Sequence, residues 1–210
     1  MIKIYIVGNQ LNYANFIYNH KLVDNMEEAD LVIFTGGEDV DPAIYGEKNI
    51  YSSINTIRDA KEVSEFLDAM LQDKPCIGIC RGAQFVTAAN GGKLIQDVDN
   101  HAIGGTHSIT NTNNQYPAKE LEITSTHHQM MYPFNLDYED YEVVAYSTVN
   151  RSTEYLTGFG EYTEDQVPCE PEIVYYPETN SLAIQGHPEY MDKDSEAVKY
   201  CNWLINKYLL

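Results

Sequence analysis

The hydrophobic pattern divides the chain into two halves with different rhythms. Up to about residue 92, short β-forming runs alternate with longer mixed stretches. Residues 2–7 read as a first strand ending at Gly8. Residues 9–20 are predicted as a helix, although their asparagines are poor helix formers. Leu22 and Val23 read as a very short strand, and residues 25–29 as one helical turn. The run "DLVIFT" at 30–35 is a buried strand broken by Gly36-Gly37, and 38–47 is a loop. Residues 59–72 form an amphipathic helix with Val63, Phe66, Leu67 and Met70 on one face. A strand at 76–79 follows, then a helix over 83–90 that Gly91-Gly92 terminates.

Strands alternating with helices imply a parallel sheet covered on both faces, with ligands at the C-terminal strand ends. The second half is richer in β-patterned runs. Strands are predicted over 107–112, 121–125, 142–147, 172–176 and 181–185. Residues 148–171, with Gly158, Gly160, Pro168 and several acids, read as a long excursion. A last helix runs from 192 to about 208, turning Val198, Trp203, Leu204 and Leu209 inward. No repeat or linker interrupts the 210 residues, so one domain over 1–210 is expected.

Charge narrows the partners. The net charge is −19, from 32 acidic against 13 basic residues, which excludes the basic face that nucleic acid or an anionic membrane requires. The start of the chain lacks the long apolar run of a signal peptide, and no apolar run is long enough to span a bilayer. Cys76, Cys80, Cys169 and Cys201 have neither a zinc-type spacing nor a plausible pairing, since Cys76 and Cys80 share one strand; a reducing cytoplasm is expected.

The candidate chemistry sits at Cys80. The residue follows a buried strand at once, precedes a helix, and lies between Gly78 and Gly82. This is the layout of a nucleophile elbow, with cysteine as the nucleophile. A side chain there projects from the strand end, and the helix N-terminus favours the thiolate. A thiolate needs a base, the base needs an orienting group, and the tetrahedral oxyanion needs N–H donors. His187, at the end of another strand in "AIQGHPEYM", is the candidate base. Glu189 can accept the second imidazole N–H, and Pro188 stiffens the turn between them. The Gly36-Gly37 turn and the Arg81 N–H are candidate oxyanion donors. Gln84, one helical turn on, either points back over the site or is a surface amide. Arg58-Asp59 opens the preceding helix. His127 and His128, in "STHHQMMYP", follow a strand; no third ligand is spaced for a metal, and one of the pair is expected to contact substrate.

Taken in order, "TGGEDVDPAIYGE", "GICRGAQ…NGGKLIQDV", "STHHQ" and "QGHPE" resemble the class I glutamine amidotransferase-like superfamily, and within it the γ-glutamyl hydrolase branch, peptidase family C26. The resemblance covers about residues 31–190. It implies a flavodoxin-like α/β sandwich and a triad of Cys80 as nucleophile, His187 as base then acid, and Glu189 as orienter. It places the oxyanion hole at Gly37 and Arg81, and makes Gln84, His127 and His128 candidates for holding a small-molecule γ-glutamyl substrate. It implies attack on a γ-glutamyl amide carbonyl through a thioester, without a metal or organic cofactor. Two other readings fit the same residues: a glutaminase subunit passing ammonia to a separate synthetase chain, and a non-catalytic binding protein on this fold.

Overall fold

The computed structural model describes residues 1–8 and 10–210. Its strands and helices follow in the order β1 (Ile2–Val7), β2 (His20–Leu22), β3 (Leu31–Phe34), α1 (Thr56–Leu71), β4 (Cys76–Ile79) and α2 (Arg81–Ala89). The second half gives β5 (Lys93–Ile95), β6 (Asp97–Val98), β7 (Ala102–Asn111), β8 (Glu120–Thr126), β9 (Met130–Tyr132) and β10 (Glu142–Ser147). It ends with β11 (Tyr155–Thr157), β12 (Gly160–Tyr162), β13 (Pro171–Tyr176), β14 (Ser181–Ile184) and α3 (Glu196–Leu204).

Nine strands form one mixed sheet in the order β2-β1-β3-β4-β14-β13-β10-β7-β8. The five from β2 to β14 are mutually parallel, and from β14 to β8 every pairing is antiparallel. The change falls beside β4 and β14, where the chemistry was expected. Every residue of β3, β4 and β14 is buried, as strands covered on both faces must be. Alternation splits their side chains between two cores. Leu31, Ile33, Ile77, Ile79, Leu182 and Ile184 pack with Phe16, Ile17 and α3. Val32, Phe34, Cys76 and Ala183 pack against α1 and α2 on the other face.

Helix α2 lies hard on the sheet. A Cβ on Gly82 would stand 2.1 Å from the Phe34 carbonyl oxygen, so only glycine admits this approach of helix to strand. The contact locks the start of α2 between β3 and β4 and fixes where Cys80 points.

Several elements differ from the sequence expectation. The helix over 9–20 is replaced by a 3-10 turn at Leu11–Ala14 followed by irregular chain, with residue 9 outside the described residues. Asn19 adopts a positive φ of 52°, which stops any helix before β2. Residues 25–29 form turns without a helix, and β2 begins at His20. Helix α1 starts earlier, capped by Asn55, whose side chain accepts from the Arg58 N–H. Its buried face is Asp59, Glu62, Phe66 and Ala69, and Leu67 is exposed. The helix is rotated because its first turns must present two carboxylates to the buried Arg81. Residues 38–47 contain a 3-10 turn, Pro42–Tyr45, capped by Asp41. The excursion at 148–171 is partly ordered as the β11–β12 hairpin, which pairs with β6. The last helix begins only after its Ser195 cap and continues as a π turn, Ile205–Leu209, with Trp203 only half-buried. No helix of the described residues is long and apolar enough to cross a membrane.

Candidate active site

Cys80 is the residue between β4 and α2. Its N–H still donates to the Ile184 carbonyl at 2.8 Å, closing the sheet ladder, while its φ of 54° and ψ of −111° turn the chain sharply into the helix. A non-glycine residue in this conformation is strained, and the strain holds the thiol out of the strand line. Parallel pairing of β4 with β14, in register Ile79 with Ile184, carries the two strand ends to the same edge. His187, three residues past β14, therefore arrives beside Cys80, one residue past β4.

The imidazole is held from several sides. The His187 N–H donates to Thr124 Oγ1 at 2.6 Å, which ties the turn to β8. Nδ1 lies 2.7 Å from Glu189 Oε1, whose side chain is buried. With Nδ1 taken by Glu189, Nε2 is the ring nitrogen left for the Cys80 thiol. Tyr190 stacks on the ring at 4.9 Å, and Tyr13 flanks it at 6.1 Å. Burial alone would lower the His187 pKa, but the hydrogen bonds and charges of Cys80 and Glu189 outweigh it and push the group up to about 10.

The Gly36-Gly37 loop closes one side. A Cβ on Gly36 would stand 2.5 Å from Tyr13 Oη and 3.2 Å from His187 Cε1, which measures how near the loop comes to the histidine. Arg58 fixes its shape: Nη2 donates to the carbonyls of Thr35 at 2.8 Å and Gly36 at 2.9 Å. The same guanidinium meets Glu38 at 3.1 Å and Glu62 at 2.8 Å. Beneath it the buried Arg81 pairs with Asp59 and Glu62, and its Nε donates to the Glu38 carbonyl at 3.0 Å. Gly37 has a φ of +143°, and neither its N–H nor that of Arg81 has an acceptor among the described residues. Both line the cavity beside Cys80, as oxyanion donors should.

That cavity is about 60 Å³ and is lined by Cys80, Gln84, Thr126, His128 and Gln129 among others. It has room for only a few water molecules. Larger hollows, about 260 Å³ beside Val7 and Lys61 and about 370 Å³ beside Leu121 and Met191, are lined by no cysteine or histidine. Gln84 points into the site, not to the surface, and its amide donates to the Gln129 carbonyl at 2.9 Å. His128 stands on the rim between Asp39, 3.0 Å from Nε2, and Asp97, 3.2 Å from Nδ1. The hydrogen bond to Asp39 is the main cause that raises its pKa. His127 lines the same wall but is buried, and burial pushes its pKa down to about 4.

Sequence reasoning missed Tyr13, Asp39, Asp97, Thr124 and Gln129. It also missed a buried group behind the wall, where His101 and His107 meet Glu170 and Glu172. Two glutamates in or beside a buried strand, "CEPEIVYY", were the available signal for the last of these.

This sheet order, with a cysteine elbow and a histidine from the neighbouring strand, has the fold of the class I glutamine amidotransferases. The glutaminase domain of Trypanosoma brucei CTPS has TM-score 0.63 at 10% identity, covering 98% of this chain and 93% of that one. PurLQS from Thermotoga maritima has TM-score 0.60 at 16% identity, covering 99% and 100%. Residues 18–151 match the model of the Peptidase C26 family, and the chain belongs to that family. A Lactococcus lactis protein described as glutamine amidotransferase-like, YvdE, is 26% identical over 162 residues, 76% of this chain and 66% of its own length. The chain thus spans just under two thirds of that relative, and 51% of a second YvdE homologue. The family match stops at residue 151, before His187 and Glu189.

Proposed function

We propose that the chain is a cysteine hydrolase of γ-glutamyl amide or isopeptide bonds, working through a γ-glutamyl thioester on Cys80. The observation that carries this reading is the strained Cys80 turn meeting an imidazole that Glu189 orients at 2.7 Å. In the first half-reaction Cys80 Sγ bonds to the γ-carbonyl carbon. The oxyanion rests on the Gly37 and Arg81 N–H groups. His187 gives its Nε2 proton to the leaving nitrogen as the C–N bond breaks. In the second, His187 Nε2 takes a proton from water as the water oxygen attacks the thioester carbonyl. The C–S bond then breaks, releasing glutamate and restoring the thiolate. Gln84, the His127 wall and His128 on the rim face the glutamyl part, and the reading needs no second domain beyond 1–210.

A second reading is supported by the solved structures that share the fold, one of which is described as a GMP synthase subunit. In this reading the chain is a glutaminase subunit that passes ammonia to a separate synthetase chain. Intact-mass spectrometry after incubation with glutamine, γ-glutamyl amines and an electrophilic glutamine analogue separates the two. A glutamyl-sized adduct on Cys80, with amine release from a panel member and loss of both in Cys80→Ala, supports the hydrolase. Labelling by the analogue without turnover of any free substrate supports the partner-dependent glutaminase. Wild-type turnover in Cys80→Ala refutes both.

A further inference from the structure

Behind the active-site wall lies a group of buried side chains, of which the proposed chemistry uses only His127, as part of that wall. His101, His107, His127, Glu170 and Glu172 are all buried, none more than 4% exposed. Together they hold three imidazoles and two carboxylates. Among the described residues no lysine or arginine side chain pairs with either carboxylate.

One hydrogen bond fixes a proton in the group. His127 Nδ1 lies 2.8 Å from the Gln129 carbonyl oxygen, so Nδ1 carries the proton and Nε2 a lone pair. That Nε2 is buried and has no partner. His101 Nε2 lies 3.1 Å from Glu170 Oε2, and its Nδ1 stands 3.5 Å from the Ser125 hydroxyl and 3.8 Å from Glu172 Oε1. Glu170 cannot turn away, because it accepts the Ser152 N–H at 2.7 Å and the Tyr155 hydroxyl at 3.0 Å. His107 Nε2 meets Glu172 Oε1 at 2.9 Å, which leaves Glu172 Oε2 buried and unpartnered. One donor atom each from His101, His127 and Glu172 lies within 4.8 Å of the other two. The unpartnered Nε2 of His127 and the unpartnered oxygens of Glu172 therefore converge with His101 Nδ1 in the buried interior. Such an arrangement repels itself unless a cation stands at its centre.

We propose that His101, His127 and Glu172 bind a divalent transition-metal ion, with zinc the best match. Two imidazoles and one carboxylate are a zinc donor set, whereas calcium and magnesium prefer oxygen throughout. Donor atoms around one zinc stand about 3–4 Å apart, so the three side chains close on the ion by small rotations. Glu170 and the Gln129 carbonyl hold the distal N–H groups of the two imidazoles, as outer partners of metal-bound histidines do. A 2+ ion also balances the two carboxylates. The site ties β8, β13 and the chain leading into β7 together directly behind the Cys80 cavity. It stands independently of the hydrolase reading.

The test is a zinc titration of the metal-stripped full chain against a chromophoric chelator, with elemental analysis of the dialysed protein. One equivalent per chain is expected. Binding is lost in Glu172→Gln and in His101→Gln, and weakened about 10- to 100-fold in Glu170→Gln. His128→Gln removes the other carboxylate-flanked imidazole and retains the full equivalent. No tight equivalent in folded wild-type protein overturns the proposal, as does retention in both ligand variants or loss in His128→Gln. Should the ligand variants fail to fold, histidine nitrogen NMR of the wild type decides. Zinc must shift His127 Nε2 and His101 Nδ1; doubly protonated rings that zinc leaves unmoved refute the site.

Discussion

Replacing Arg81 by methionine tests the link between the buried charges and the active site. Arg81 is 1% exposed, and its partners Asp59 and Glu62 are 3% and 2% exposed. Burial pushes the guanidinium down to about 10 and the Asp59 carboxyl up, so desolvation works against the charged forms of both. Methionine fills much of the same volume but leaves two carboxylates facing an apolar stem. Only Arg58, already shared with Glu38 and the loop carbonyls, remains to answer them. Breaking a buried pair from one side costs about 3–5 kcal/mol. Against a total stability of about 5–15 kcal/mol this is a large fraction. With a urea slope of about 2–3 kcal/mol/M, the unfolding midpoint falls by about 1–2.5 M.

The same argument fixes the rescue. If the cost is the uncompensated charge, neutralising the carboxylates in the triple variant Arg81→Met, Asp59→Asn, Glu62→Gln recovers most of the lost midpoint. Its activity stays low, because the Arg81 bond to the Glu38 carbonyl, which steadies the loop carrying Gly37, is still missing. Urea unfolding followed by circular dichroism, with steady-state rates on the same preparations, reads both. A midpoint change below about 0.3 M in Arg81→Met, or a triple variant no more stable than the single one, refutes the reasoning.

Three further outcomes are expected. Gly37→Ala places a Cβ 2.0 Å from Arg58 Nη1 at a φ of +143°, so the loop shifts; kcat falls about 100- to 1,000-fold while Cys80 still reacts with iodoacetamide, and an unchanged kcat removes Gly37 from the oxyanion hole. Glu189→Gln removes the charged acceptor that orients His187 and helps it hold its proton; turnover falls about 100- to 10,000-fold with little loss of melting temperature, and full activity removes Glu189 from the triad. His187 is raised from 6.5 to about 10, so between those values the folded chain holds a proton the unfolded chain has lost. Its stabilisation is complete below about pH 6.5 and disappears as pH rises through 10. The melting-temperature gap between wild type and His187→Gln should therefore narrow on going from pH 7 to pH 10; a widening gap contradicts the assignment.

The parallel half of the fold was legible because its signals are local. A β-run ending in Gly8, Gly36 or Cys80 announces a strand and the point where it stops, and parallel pairing puts those stops on one edge. The elbow and "GHPE" could be matched for the same reason: each is a short turn whose residue types dictate its geometry. What local reading could not supply was any partner chosen across the sheet. On α1, Val63, Phe66 and Met70 pack on the core as expected, and Leu67 alone was misassigned by trusting its hydrophobicity. The true face begins with Asp59 and Glu62, and it is explained only by Arg81, a residue on another helix. The predicted helix over 9–20 failed because four asparagines and an αL stop outweigh its apolar positions.

The His127-His128 pair shows the same limit at the level of function. Side by side in sequence, the two were read as one feature, and a metal was set aside for want of a third ligand nearby. Strand geometry separates them. Past the end of β8, one ring turns inward and the other outward. His128 stays on the rim between two aspartates, and His127 enters the interior, where His101 is 26 positions away in sequence and Glu172 is 45. A ligand set assembled from three strand ends has no spacing to recognise. Its trace in the sequence is only a set of polar residues at positions whose alternation points inward, at His107, Glu170 and Glu172. Buried polar side chains without local partners are therefore the residues to carry forward from a sequence, because something across the sheet must answer them.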